Sequence, residues 1–143
     1  MNTKKTKKPL CILGWLGLAI FISLFAACSF TGESIRDRIG TFIDAINAGD
    51  VQGIKDCLDP SSTNYNTAST TNFWNTYFPN KPYSISGYSE SGNTATVTFT
   101  DSSNTTLKYI FEMTEQKGSG LFSPKTYLIR RVKYPPNSTT IFE

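Results

Sequence analysis

Histidine is missing from all 143 residues, which excludes histidine-based triads, histidine-ligated metals and imidazole proton relays. No glycine-rich loop links a strand to a helix, no nucleophile has a partner base, and no two carboxylates share a face that the patterning turns inward. Catalysis has no visible machinery, and neither a cofactor nor a metal is expected. A positive surface is absent too. The formal charge of +3 comes from 14 Lys and Arg against 11 Asp and Glu, and Lys4, Lys5, Lys7 and Lys8 all stand at the start. Without those four, ten cations face eleven acids, so no basic nucleic-acid surface is expected.

What is present begins with that lysine-rich start. It is followed by an uncharged stretch over 10–27, which reads as the n-region and apolar core of an export signal. At 18 residues the stretch is long for a signal and just long enough for an uncleaved span. Leu24-Phe25-Ala26-Ala27-Cys28 then places two small residues directly before a cysteine. This segment resembles the lipobox of bacterial lipoproteins, with Phe25 where most carry Leu.

The resemblance implies cleavage before Cys28, a diacylglyceryl thioether on its sulfur, acylation of the new amino terminus, and membrane attachment through those chains. Two or three acyl chains anchor where one does not, since each buried CH2 contributes about 0.8 kcal/mol. A retained signal anchor and simple secretion are the other readings. Ser29, in the position where inner-membrane retention uses Asp, points to the outer membrane of the cell envelope rather than the inner. Cys11 leaves with the signal and Cys28 is used, so Cys57, flanked by Ile54 and Leu58, is expected as a lone buried helical thiol.

The exported part is long enough for one domain. Ile35, Ile39, Phe42, Ile43 and Ile46 form the stripe of an amphipathic helix. Ala48-Gly49 stops it, Asp50 caps a second helix through Ile54 and Cys57, and Pro60 ends that one. Residues 61–72 are Ser, Thr or Asn apart from Tyr65 and Ala68, and read as a loop. Phe73, Trp74, Tyr77 and Phe78 suggest a short aromatic helix.

From Tyr83 the period becomes two: a run turning at Ser91-Gly92-Asn93, a second through Ala95, Val97 and Phe99, and a third through Leu107, Tyr109, Phe111 and Met113 after the turn from Asp101 to Asn104. A fourth runs from Tyr127 to Tyr134. Pro135-Pro136 is expected to close the domain, leaving 135–143 as a frayed tail. The division is a signal at 1–27, a lipidated tether at 28–33, the domain at 34–134 and the tail.

Helices ahead of an antiparallel meander give an α+β class, with a helical hairpin and an aromatic helix on a curved four-stranded sheet. The string from Phe42 to Val51, with Ile54, Leu58 and Pro60, resembles the opening helix pair of NTF2-like domains. That likeness implies a cone-shaped fold over about 34–134. Enzymes of this fold line the cone with inward acids and bases. Here Asp44 lies off the apolar stripe and faces water, while Asp37, Asp50, Asp56 and Asp59 read as helix-start or surface charges.

A non-catalytic binding or interaction module is therefore the first expectation, an isomerase or dehydratase the second, and a structural homodimer through the open sheet face a third. If the cone is open, Phe42, Trp74, Tyr77, Phe99 and Phe111 line a pocket for an apolar ligand or a partner's side chain; if not, the rings fill it. Lys125, Arg130, Arg131 and Lys133 form a basic cluster, read as a solvated strand edge or a contact for anionic headgroups. Alternation splits Arg130 from Arg131 unless a bulge intervenes.

Overall fold

The computed structural model describes residues 32–118, 123–134 and 139–143. The segment expected to be an export signal, Cys28, most of the Gly118-Ser119-Gly120 turn and Pro135-Pro136 lie outside the described residues.

Helix α1, Ile35–Ala48, starts at a capping box. The Ser34 hydroxyl accepts from the Asp37 amide at 3.1 Å and the Asp37 carboxylate accepts from the Ser34 amide at 3.2 Å. It stops at Gly49, whose φ of 70° is left-handed and favours glycine. Asp50 then caps α2, Val51–Cys57, by accepting from the Gln52 amide. The two helices fold back on each other, as the short connection requires. Arg38 ties them: it pairs with Glu33 at 2.8 Å and donates to the Asp56 carbonyl. Cys57 is fully buried, and burial raises its thiol pKa against the opposing pull of Arg38.

Residues 61–72 are not a featureless loop. Tyr65–Ala68 forms a short helix, α3, and its last carbonyl, of Ala68, accepts from the buried Trp74 indole at 2.6 Å. The aromatic helix α4 is Thr71–Asn75.

The sheet is an open antiparallel meander of five strands in chain order: β1 Ser84–Ser91, β2 Thr94–Thr100, β3 Thr106–Lys117, β4 Lys125–Tyr134 and β5 Thr139–Phe142. The α+β class and the first four strands agree with the sequence reading. The fifth corrects it: the supposed tail pairs with β4, Val132 opposite Phe142, and Phe142 is fully buried.

One face of the sheet carries Ala95, Val97, Phe99, Tyr109, Phe111 and Met113, all buried in the same core as the inner side of α1. The other face carries the half-exposed threonines of β2. In β4 the register slips so that Glu112 faces Arg131 and Met113 faces Ile129. Arg130 is the extra residue. This bulge turns Ile129 and Val132 inward although they are three apart, and leaves Arg130 and Arg131 both off the core.

Candidate functional site

Of the five aromatic residues expected to line a pocket, four are not in the lining of the cleft described below. Phe42, Trp74, Phe99 and Phe111 are fully buried and pack on one another edge to face. Phe42 lies 4.9 Å from Trp74 and 6.1 Å from Phe111, and Phe99 lies 6.1 Å from Phe111. Rings of this size bury a large area, and these four meet one another in the centre of the core. Tyr77, half-buried, is the one that reaches a cavity. Cys28 lies outside the described residues.

The cavity is a cleft of about 370 Å3 at one end of the sheet. Thr76 and Tyr77, just past α4, form one wall, followed by Pro79, Asn80 and Tyr83 on the way to β1. Asp101 and Thr105 come from the β2–β3 turn, Leu107 and Tyr109 from β3, and Tyr134 from the end of β4.

Each of the key positions is held by a definite contact. The Asn47 side chain on α1 grips the Tyr83 backbone from both sides, accepting from its amide at 2.9 Å and donating to its carbonyl at 2.8 Å. The Tyr83 hydroxyl accepts from the Asn80 amide. Tyr109 donates its hydroxyl to the Tyr77 carbonyl at 2.6 Å, and its ring stacks on Phe78 at 4.9 Å. Burial, with smaller contributions from the neighbouring Tyr134, Tyr83 and Tyr77, holds the Tyr109 pKa well above that of a free phenol. The group is therefore a neutral donor at physiological pH.

Asp101 is 5% exposed. Its Oδ1 accepts from the Ser103 and Thr105 amides, both at 2.8 Å, and its Oδ2 from Asn80 Nδ2 at 3.3 Å. Asn104 takes the left-handed φ of 60° that this turn requires, which asparagine tolerates.

The other acids sort differently from the sequence reading in one case. Asp44 is exposed, as expected. Asp59 is not a surface charge: it is buried, because the chain leaving α2 docks on the sheet, with the Asp59 amide donating to the Ile129 carbonyl. Its carboxylate accepts from the Ser61 amide and hydroxyl and from Thr114 Oγ1 at 3.0 Å. Burial pushes its pKa up, but these hydrogen bonds and the Arg130 charge outweigh it and the net shift is downward. A lowered folded value means that the carboxylate's stabilisation is fully present above about pH 3.8, its ordinary value, and is lost as the pH falls from there through the folded value. Asp59→Asn should thus cost about 1–3 kcal/mol at pH 7, with a smaller gap to the parent at pH 3. Denaturant unfolding at the two pH values measures it, and an unchanged gap would contradict the assignment.

The basic cluster is largely paired. Lys125 meets Glu115 at 3.2 Å, Arg131 meets Glu112 at 2.9 Å and Glu143 at 3.1 Å, and Lys133 meets Glu112 at 2.5 Å. A smaller polar notch of about 110 Å3 beside Arg130 and Arg131 is bounded by Ser61, Ser62 and Glu143, whose contacts join the α2 exit and β5 to β4.

Among the described residues no group of three or more metal-ligating side chains converges, and no helix is long and apolar enough to cross a membrane. Asp101, Tyr109 and Tyr134 are not singled out by the sequence. The inward alternation of Leu107 and Tyr109 is a usable signal; the approach of Asp101 and Tyr134 depends on the turn and on strand pairing. Comparison with protein-family models, curated proteins and solved structures returned no match.

Proposed function

We propose that the chain is a bacterial lipoprotein, held in the cell envelope by acyl chains on Cys28, whose NTF2-like domain binds a small ligand or a partner's side chain without turnover. The observation that carries the binding reading is the cleft itself: four tyrosines, Leu107 and Pro79 form a mostly apolar concavity with a few fixed polar groups, the usual make-up of a ligand site. The NTF2-like reading is supported by the helix pair joined at Ala48-Gly49-Asp50, lying with an aromatic helix on one face of an antiparallel meander.

Binding rather than catalysis fits the chemistry of the lining. Among the described residues Asp101 is the sole carboxylate in it, its Oδ1 is taken by two backbone amides, and the Tyr109 proton is committed to a carbonyl. The envelope location, outer membrane rather than inner, rests on the lipobox-like segment and Ser29. Only Ser29, Phe30 and Thr31 separate Cys28 from Gly32, a reach of roughly 13–14 Å at full extension.

Native mass spectrometry of the full chain, extracted in mild detergent, tests the binding reading. The expected spectrum shows a retained small molecule that disappears in Tyr134→Ala, a change at the exposed rim of the cleft. A chain that retains nothing, and whose tyrosine resonances do not move when envelope extract is added, would remove it.

A further inference from the structure

Taking the cleft as the domain's binding site, as proposed above, we infer that its ligand is an organic ammonium group, quaternary or alkylated, presented from the aqueous side. Three observations converge on this.

The rings meet at angles. Tyr109 and Tyr134 lie 5.2 Å apart with their planes at 54°. Beneath them Phe78 stacks on Tyr109 at 26° and meets Tyr83 edge-on at 80°. A flat platform suits a planar or sugar ring; here the exposed Tyr134 ring stands at an angle to the buried Tyr109, which Phe78 backs from below, and with the half-buried Tyr77 it bounds a compact space in which a cation meets aromatic surface on more than one side.

The charge in the cleft has one sign. Among the described residues Asp101 is its only acidic side chain, no Lys or Arg lines it, and no cation forms a salt bridge with Asp101. Its hydrogen bonds come from neutral donors, two amides and an asparagine, so the negative charge is oriented but not neutralised. In a site this buried, such a charge favours a cationic occupant and repels an anion.

The cleft also opens far from the tethered end of the domain. The Glu33 amide donates to the Lys125 carbonyl, and Gly32 lies so close to Lys125 that a Cβ would come within 2.8 Å of its backbone nitrogen. The entry of the chain is thereby fixed at the start of β4. Tyr134 is at the other end of that strand, about 30 Å away at roughly 3.3 Å per residue. A group arriving from solution reaches the cleft more readily than a headgroup of the bilayer next to the tether.

The test titrates the full chain, in an uncharged detergent, with choline and with 3,3-dimethylbutan-1-ol, which has the same shape with carbon in place of the charged nitrogen. Calorimetry gives affinity and the Tyr109 and Tyr134 ring resonances give location. Choline is expected to bind at least tenfold more tightly than the alcohol. Asp101→Asn keeps an acceptor for the Ser103 and Thr105 amides and should weaken choline at least fivefold while leaving the alcohol unchanged. Tyr134→Ala should weaken choline similarly, and the exposed Asp44→Asn should not. Displacement of choline by phosphatidylcholine vesicles would support the ammonium class but trace it to a headgroup; no displacement would support a free solute. Equal binding of the two probes would overturn the inference yet leave the cleft a ligand site. Silence toward both, with no retained ligand in the native mass spectrum, would remove the inference and the binding reading together.

Discussion

Phe142→Ala should lower the stability of the domain by about 3–5 kcal/mol, the cost of emptying the site of a fully buried ring. Phe142 packs against Trp74, ring centroids 6.2 Å apart, and lies opposite Val132 in the sheet. The strand that carries it is fixed on both sides. Beyond its pairing with β4, the Asn64 side chain donates to the Ile141 carbonyl at 3.2 Å and accepts from the Glu143 amide at 3.1 Å, while the Asn64 amide donates to the Glu143 carbonyl. Against a typical total of about 5–15 kcal/mol for a domain, the loss is large. Thermal unfolding should shift down by more than about 10 °C, and deleting 139–143 should do at least as much. A variant within about 1 kcal/mol of the parent in denaturant unfolding would mean that the last residues contribute no packing.

That such a residue escapes a reading of the sequence has a physical cause. Alternation identifies β2 and β3 because Ala95, Val97 and Phe99, and then Tyr109, Phe111 and Met113, repeat the period over three inward positions each. The four residues of β5 offer only Ile141 and Phe142 next to each other, after two prolines, and two positions carry no period. Their β-branched and aromatic character is the only local hint. Helix α1 is legible for the opposite reason, since five apolar residues at helical spacing and a left-handed Gly49 need no tertiary partner to be read.

The site is less legible than the fold. Phe42, Trp74, Phe99 and Phe111 do turn inward, but direction does not reveal whether facing rings leave a gap, and here they meet one another at 4.9–6.1 Å. The cleft instead arises where Tyr83 and Tyr134, separated by most of the sheet in sequence, meet the β2–β3 turn. Asn47 secures Tyr83 there by a contact 36 residues long in sequence, which no local pattern encodes. Asp59 misleads for a similar reason: a carboxylate after a helix and before Pro60 looks exposed until β3 supplies Thr114.

Cys28→Ser should abolish incorporation of labelled fatty acid and leave the export signal uncleaved by lipobox-type processing. Lys4, Lys5, Lys7 and Lys8, the 18 uncharged residues that follow and Ala26-Ala27 are each common; their succession ending at a cysteine is what points to a thioether at that sulfur. Hydroxyl for thiol changes little in size but removes the nucleophile that, on the lipoprotein reading proposed above, accepts the diacylglyceryl group, so on that reading anchoring through acyl chains is lost outright. The domain itself should be indifferent, because its core is built from Ile35 onward and Gly32–Glu143 forms its own compact unit. Unfolding curves of the Cys28→Ser variant and the parent should therefore coincide, while the labelled-lipid signal falls to background. An intact 1–27 segment on the wild-type protein recovered from membranes would instead assign anchoring to a retained apolar segment, and unfolding that shifted with the substitution would place Cys28 in contact with the core.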